Sequence, residues 1–189
     1  MTEEVHKGPN VDAYLNQIVI CSGLGGDVAE CGVYKGHNTH YYGNMLSEVA
    51  PNKIIYGFDS FQGLPTQPEP VPGHDFSDVR YVDVLRFLLP IKNVVLVPGL
   101  FEDTLPCFRG HSFSCVILDC DLPDSYLTAL NCLYSTVVVG GVIVLDEYFS
   151  VKYKGVRFVV DQFFSDKAEE PELFHIEENG WERWRVVKK

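Results

Sequence analysis

Short apolar runs alternate with segments of helical period along the chain. Between Asn10 and Leu24, the apolar residues Val11, Leu15, Ile18 and Val19 follow the i, i+4, i+7, i+8 spacing of a helix with one buried face, and Gly23, Gly25 and Gly26 stop it. The run 28–31 predicts a first strand. It enters a turn bounded by Gly32 and Gly36, then a helix through Met45, Leu46 and Val49, with Asn38 or Thr39 available as its cap and Pro51 at its end. Residues 53–59 predict a second strand that finishes on Asp59. Residues 77–89 read as a helix that offers Val82, Leu85, Leu88 and Leu89 to the core and closes at Pro90. The runs 94–97 and 115–118 are strands three and four, joined through a loop over 100–106. Ser125 is placed to cap the next helix, through Leu127, Leu130 and Tyr134. After a turn at Gly140 and Gly141 comes a fifth strand, 142–145, and residues 155–164 supply a last helix with Val156, Val159, Val160 and Phe163 on one side.

The end of the chain changes character. Residues 173–176 and 184–187 flank a segment with Asn179-Gly180 in it, a strong turn signal for an antiparallel hairpin. Five strand–helix units and a hairpin predict an α/β fold: a doubly wound, mostly parallel sheet with an antiparallel edge. At 189 residues and 46% hydrophobic, the chain supports one good core, so a single domain over 1–189 is expected.

Charge and cysteine usage narrow the partners. A net charge of −11, with no basic stripe, opposes a nucleic-acid backbone. No apolar run approaches the roughly 18 to 20 residues that span a bilayer, and no leader pattern opens the sequence, so a soluble cytoplasmic protein with no membrane partner is expected. Cys31, Cys115 and Cys120 lie in or beside apolar strands and no pair has CxxC spacing, which favours reduced, buried thiols. The aromatic end, with Trp181 and Trp184, offers a surface for a homo-oligomer.

In a doubly wound sheet, ligands sit beyond the carboxyl ends of the strands. Every strand here delivers polar groups there: Glu30 with the glycine turn, Asp59, Glu102 with Asp103, Asp119 with Asp121, and Asp146 with Glu147. Several acids at adjacent strand ends imply a bound proton, Mg²⁺ or Ca²⁺; the alternative is that Asp119 and Asp146 cap helices while Asp121 and Glu147 are solvated. The turn reads as a cofactor loop or as a plain strand-to-helix turn. Asp59 fits an acid that accepts hydrogen bonds from a ribose, or one that caps a turn. Glu30-x-Gly-x-x-x-Gly36 lacks the Gly-x-Gly that cradles a pyrophosphate, which favours a cofactor without phosphate. Residues 60–75, with Pro65, Pro68, Pro70 and Pro72, form either a solvated excursion or a lid over substrate. Of the histidines, only His37 follows the turn; none has metal-ligand spacing, and neither Gly-x-Ser-x-Gly nor a P-loop is present.

Four segments are similar to the class I S-adenosylmethionine-dependent methyltransferases, and within them to the macrocin (TylF-type) sugar O-methyltransferases. They are Glu30-Cys-Gly-Val-Tyr-Lys-Gly36, Asp59-Ser-Phe-Gln-Gly-Leu-Pro65, Gly99-Leu-Phe-Glu-Asp-Thr-Leu-Pro106, and Leu118-Asp-Cys-Asp-Leu-Pro-Asp-Ser125 leading to Asp146-Glu-Tyr148. The resemblance implies a Rossmann-like methyltransferase sheet and a cofactor site of Glu30, Gly32, Tyr34, Gly36, Asp59, Ser60, Phe101, Glu102 and Asp119. It further implies Mg²⁺ at Asp119, Asp146 and Glu147, with Asp121 or Asp119 taking the proton of a small-molecule hydroxyl, most fitting a sugar. A catechol or phenol acceptor, or an S-adenosylmethionine-binding protein without transfer, are the competing readings. The chain departs from the family pattern at Glu147, where relatives carry Asp, at Pro123, where they carry Tyr, and in a shorter N-terminal segment.

Overall fold

The computed structural model describes residues 7–8, 10–65 and 75–189. Helix α1 (Val11–Ile20) precedes strand β1 (Asp27–Cys31), helix α2 (His37–Val49) and strand β2 (Ile55–Asp59). Helix α3 (Tyr81–Leu88), strand β3 (Val94–Pro98), the one-turn helix α4 (Phe101–Thr104) and strand β4 (Phe113–Leu118) follow. Helix α5 (Pro123–Leu133), strand β5 (Val137–Leu145), helix α6 (Val156–Phe164) and the strands β6 (Glu172–Ile176) and β7 (Glu182–Val187) complete the order.

The strands form one seven-stranded sheet in the order β3-β2-β1-β4-β5-β7-β6. The first five run parallel, and β7 enters antiparallel between β5 and β6, with Leu145 opposite Trp184. Every residue of β4 is buried, as a central strand covered on both faces requires. Its alternation sorts the core into two layers. Cys115 and Ile117 pack with Tyr14, Ile18, Tyr42 and Leu46 of α1 and α2, while Val116 and Leu118 pack with Tyr126, Leu130, Val156 and Val160 of α5 and α6. A smaller cluster seats Val84 and Leu88 of α3 on Val33, Phe61 and Ile91. The chain lays β2 and β3 to one side of β1 and β4 and β5 to the other, so the sheet has a switch point between β1 and β4. No helix among the described residues is long and apolar enough to cross a membrane.

Several local expectations change. Neither Asn38 nor Thr39 caps α2: its first position is preceded by Gly36, left-handed at φ 79°, and Thr39 turns inward to Glu30. Ser125 lies inside α5, which starts at Pro123 after an extended Leu122 with no side-chain cap. The proline ring sets the helical φ without needing one. The helix expected over 77–89 is shorter, and it buries Val84 and Leu88 while Val82, Leu85 and Leu89 stay largely exposed. Residues 101–108 coil into α4 and a 3-10 turn instead of a loop. Gly140 and Gly141 do not precede β5; they form a bulge within it. Pairing jumps there from Phe113 opposite Val137 to Cys115 opposite Val142, and Gly140 takes φ 81°. Trp184 is covered by its own chain, stacked on Phe149 and tilted on Tyr148, each at 5.0 Å. The middle of the proline-rich segment, with Pro68, Pro70 and Pro72, lies outside the described residues.

Candidate active site

The first half of the site is the turn after β1, held open by glycine and closed by an acid. Gly32, at φ 99°, presses on the backbone after β4; a Cβ there would lie 1.7 Å from the carbonyl oxygen of Asp119. Only glycine lets the two central strand ends approach this closely. Asp59, at the end of β2, accepts hydrogen bonds at Oδ2 from the backbone amides of Val33 (2.9 Å) and Tyr34 (2.8 Å), and at Oδ1 from Phe61 (2.7 Å). Its carboxylate therefore shapes the turn. Asp78, which the sequence did not single out, pins the turn from outside: it accepts from the Tyr34 hydroxyl and the Lys35 ammonium, each at 2.6 Å.

A cavity of about 900 Å³ opens over this switch point. Gly32, Tyr34, Asp59, Ser60, Phe101, Glu102, Asp119 and Asp121 line it, as does His37. The flanks of the proline-rich segment add Leu64, Pro65, Phe76 and Val79. Four expected residues stand outside it: Gly36, Glu30, Glu147 and Asp146. Gly36 packs under α3, where a Cβ would meet Val84 and Leu88 at 3.0 Å. Glu30 is buried below the turn, its Oε2 accepting from Thr39 at 2.6 Å, and burial pushes its carboxyl up to about 8. Glu147 is also buried, at the foot of the site.

The second half is a trio of acids from the ends of β4 and β5. One carboxylate oxygen from each of Asp119, Asp146 and Glu147 lies within 4.8 Å of the others. Burial, and then the charge of Asp146, drives both Asp119 and Glu147 well above the usual carboxylate range. Like charges gathered this closely out of water call for a proton or a cation between them. The Tyr126 hydroxyl lies 2.7 Å from Glu147 Oε2 and accepts from the Glu147 amide at 3.1 Å, which fixes that side chain. Buried Tyr42 has a hydroxyl with no hydrogen-bond partner among the described residues, and Glu30, Asp119 and Asp146 are the acids that weigh on it.

Asp121 sits at the cavity edge with a strained left-handed backbone, φ 63°. Burial raises its carboxyl to about 6, against the opposing hydrogen bond from Tyr153 and the charge of Lys152. Lys152 in turn donates to the Tyr153 hydroxyl at 2.6 Å.

A family model described as macrocin O-methyltransferase (TylF) matches residues 9–185. The chain belongs to the macrocin O-methyltransferase family. It is an enzyme of the methyltransferase class, as its curated relatives are. Demethyldecarbamoylnovobiocin O-methyltransferase of Streptomyces niveus is 27% identical over 88% of this chain and 70% of its own length. The 8-demethyl-8-(2,3-dimethoxy-alpha-L-rhamnosyl)-tetracenomycin-C 4'-O-methyltransferase of Streptomyces olivaceus is 27% identical over 71% of this chain and 58% of its own. Mycinamicin III 3''-O-methyltransferase of Micromonospora griseorubida is 23% identical over 85% and 70%. Among solved structures, the O-methyltransferase NovP superposes with a TM-score of 0.76 at 24% identity, covering 95% of this chain and 78% of that one. The calicheamicin methyltransferase CalS11 gives 0.77 at 17% identity, covering 94% and 77%. At these identities the structures speak for the fold.

The residues that the sequence did not reveal act on the acids from behind: Thr39 on Glu30, Tyr126 on Glu147, Tyr153 on Asp121, and Arg183 on Asp146. None of these carries a signal of its own in the sequence: Arg183 is one of two arginines in β7, and only the fold tells it from Arg185.

Proposed function

We propose that the chain transfers the sulfonium methyl of S-adenosylmethionine to a hydroxyl of a small molecule, a sugar moiety of a natural product or glycan, with Mg²⁺ held by Asp119, Asp146 and Glu147. The observation that carries this reading is the meeting, at one switch point, of a glycine-turn cavity and three carboxylates within 4.8 Å. Family membership supports O-methyl transfer, and the relatives' names support a sugar-bearing acceptor.

The donor set fits the ion: three hard carboxylate oxygens, two of them resisting ionisation, gain from a small divalent cation. When bound, Mg²⁺ supplies positive charge where negative charge develops on the acceptor oxygen. The chain's own residues do the rest. The turn from Gly32 to Tyr34, with Ser60, Phe101 and Glu102, lines the methyl donor's side of the cavity. Asp121, which also lines the cavity, takes the hydroxyl proton, because a neutral sugar hydroxyl is a poor nucleophile near pH 7. The remaining gain comes from alignment of donor and acceptor.

Calorimetry with S-adenosylmethionine, followed by methyl transfer to a panel of sugars, glycosides and catechols with Mg²⁺ or with chelator, tests this. Binding of the cofactor, Mg²⁺-dependent transfer to a sugar hydroxyl, and loss of transfer but not of binding in Asp119→Ala are expected. Failure to bind the cofactor overturns the reading. Transfer to catechols alone overturns the acceptor, and binding without any transfer leaves a cofactor-binding protein.

A further inference from the structure

Arg183 is only 2% exposed, the largest fully buried side chain of the described residues. Its place follows from register. Leu145 pairs with Trp184, so the next antiparallel step brings Arg183 opposite Asp146, and alternation along β7 sends Trp184 to one face and Arg183 to the other, under α1. There Nη1 donates to Asp146 Oδ1 at 2.6 Å, while Nε and Nη2 reach Glu177 Oε1 at 2.6 and 2.5 Å. The fork is thus anchored at its far end by the hairpin turn.

The same Oδ1 of Asp146 accepts from Asn10 Nδ2 at 2.9 Å and from the Tyr14 hydroxyl. Three donors from two elements converge on one oxygen. Rotating the carboxylate would break all three bonds, and with Oδ1 so engaged the second oxygen is the one with capacity left for a ligand shared with Asp119 and Glu147, one oxygen of each lying within 4.8 Å of Asp146. A guanidinium here opposes a cation by charge, so attraction of the metal does not explain it. One guanidinium also faces two carboxylates, Asp146 and Glu177, so the acidic character of the trio survives the pairing.

We infer that Arg183, with Tyr14 and Asn10 on the same oxygen, is a positioning residue that presents Asp146 as a one-oxygen ligand to a divalent cation shared with Asp119 and Glu147. This rests on the metal of the proposed function and adds what holds its ligand in place. Groups behind a ligand that fix its orientation typically change metal affinity ten- to a hundredfold when altered.

The test uses the purified full chain and Mn²⁺ alone, read by electron paramagnetic resonance and calorimetry, with neither cofactor nor acceptor. Arg183→Lys keeps the charge and loses the fork; a ten- to hundredfold weaker Mn²⁺ affinity is expected, with unchanged far-ultraviolet circular dichroism. Tyr14→Phe removes one donor without touching charge, and a several-fold loss is expected there. Should Arg183→Lys not fold, Tyr14→Phe and Asn10→Ala carry the test. Folded variants that bind Mn²⁺ as tightly as the parent, or more tightly, overturn the positioning role and leave the metal site standing. A parent chain with no saturable Mn²⁺ binding overturns the metal site and the positioning role together.

Discussion

The hydroxyl of Thr39 donates to Oε2 of Glu30 at 2.6 Å, in a space that water does not reach. This one hydrogen bond favours the carboxylate, and burial outweighs it, so Glu30 rises from the usual 4.5 to about 8. Between those values the folded chain keeps a proton that the unfolded chain releases. Stability therefore falls as pH rises through about 4.5 to 8, by an amount on the order of a few kcal/mol. Glu30→Gln, a neutral replacement of the same shape, is expected to raise the urea midpoint at pH 8 and leave it nearly unchanged at pH 5. An identical pH dependence in the parent and in Glu30→Gln rules out a neutral Glu30.

Gly32 tolerates no side chain. Its φ of 99° and the 1.7 Å approach of a Cβ to the Asp119 carbonyl make Gly32→Ala cost more than the ~1–2 kcal/mol of left-handed strain alone. Chemical denaturation is expected to show a loss of about 3 kcal/mol or more, and calorimetry a loss of S-adenosylmethionine binding in whatever fraction folds. Parent-like stability in Gly32→Ala refutes the close approach of β1 and β4.

Lys53 lies at the other end of β1, with its ammonium nearly enclosed. It donates to the carbonyls of Leu24 (2.7 Å) and Gly26 (2.6 Å) and to Ser114 Oγ (2.8 Å). Lys53→Met keeps most of the apolar stem and orphans these acceptors, for an expected loss of about 3 kcal/mol in urea unfolding. Cofactor binding by the folded protein stays unchanged, since none of these groups lines the cavity. A loss under about 0.5 kcal/mol shows that the acceptors find other partners.

Asp121→Asn preserves size and removes the base. Under the proposed mechanism kcat falls by roughly 10²–10⁴ while S-adenosylmethionine affinity stays within about twofold, measured by turnover and calorimetry. Equal losses in both quantities assign Asp121 to cofactor binding instead. Tyr153→Phe, which deletes the hydroxyl bonded to Asp121, is expected to show a smaller loss of the same kind.

The strands are legible because each of the five parallel ones is a short apolar run, the signature of a buried parallel sheet, and β2, β4 and β5 run directly into Asp59, Asp119 and Asp146. What sequence hid was partnership. Thr39 beside a glycine turn looks like a helix cap, and only the fold shows its hydroxyl turned to Glu30. Gly140-Gly141 looks like a loop, because a bulge uses the same residues as a turn. Asp59 fits a cofactor ligand or a turn cap by sequence, and the structure shows it accepting three backbone amides of the turn and its neighbour. Arg183 could be placed opposite Asp146 only once the hairpin's register, and the insertion of β7 beside β5, were known.

That insertion also sets an order of assembly. The guanidinium of Arg183 meets the Tyr14 hydroxyl at 3.4 Å across 169 positions of sequence. A chain emerging from the ribosome can build β1 to β5 and close the cavity, yet it carries Asp146 without its counter-ion until the hairpin is made and threaded against β5. Contacts of such long range close late and slowly. The acid trio thus gains its fixed geometry only once the hairpin has docked, after the cavity that the earlier strands enclose.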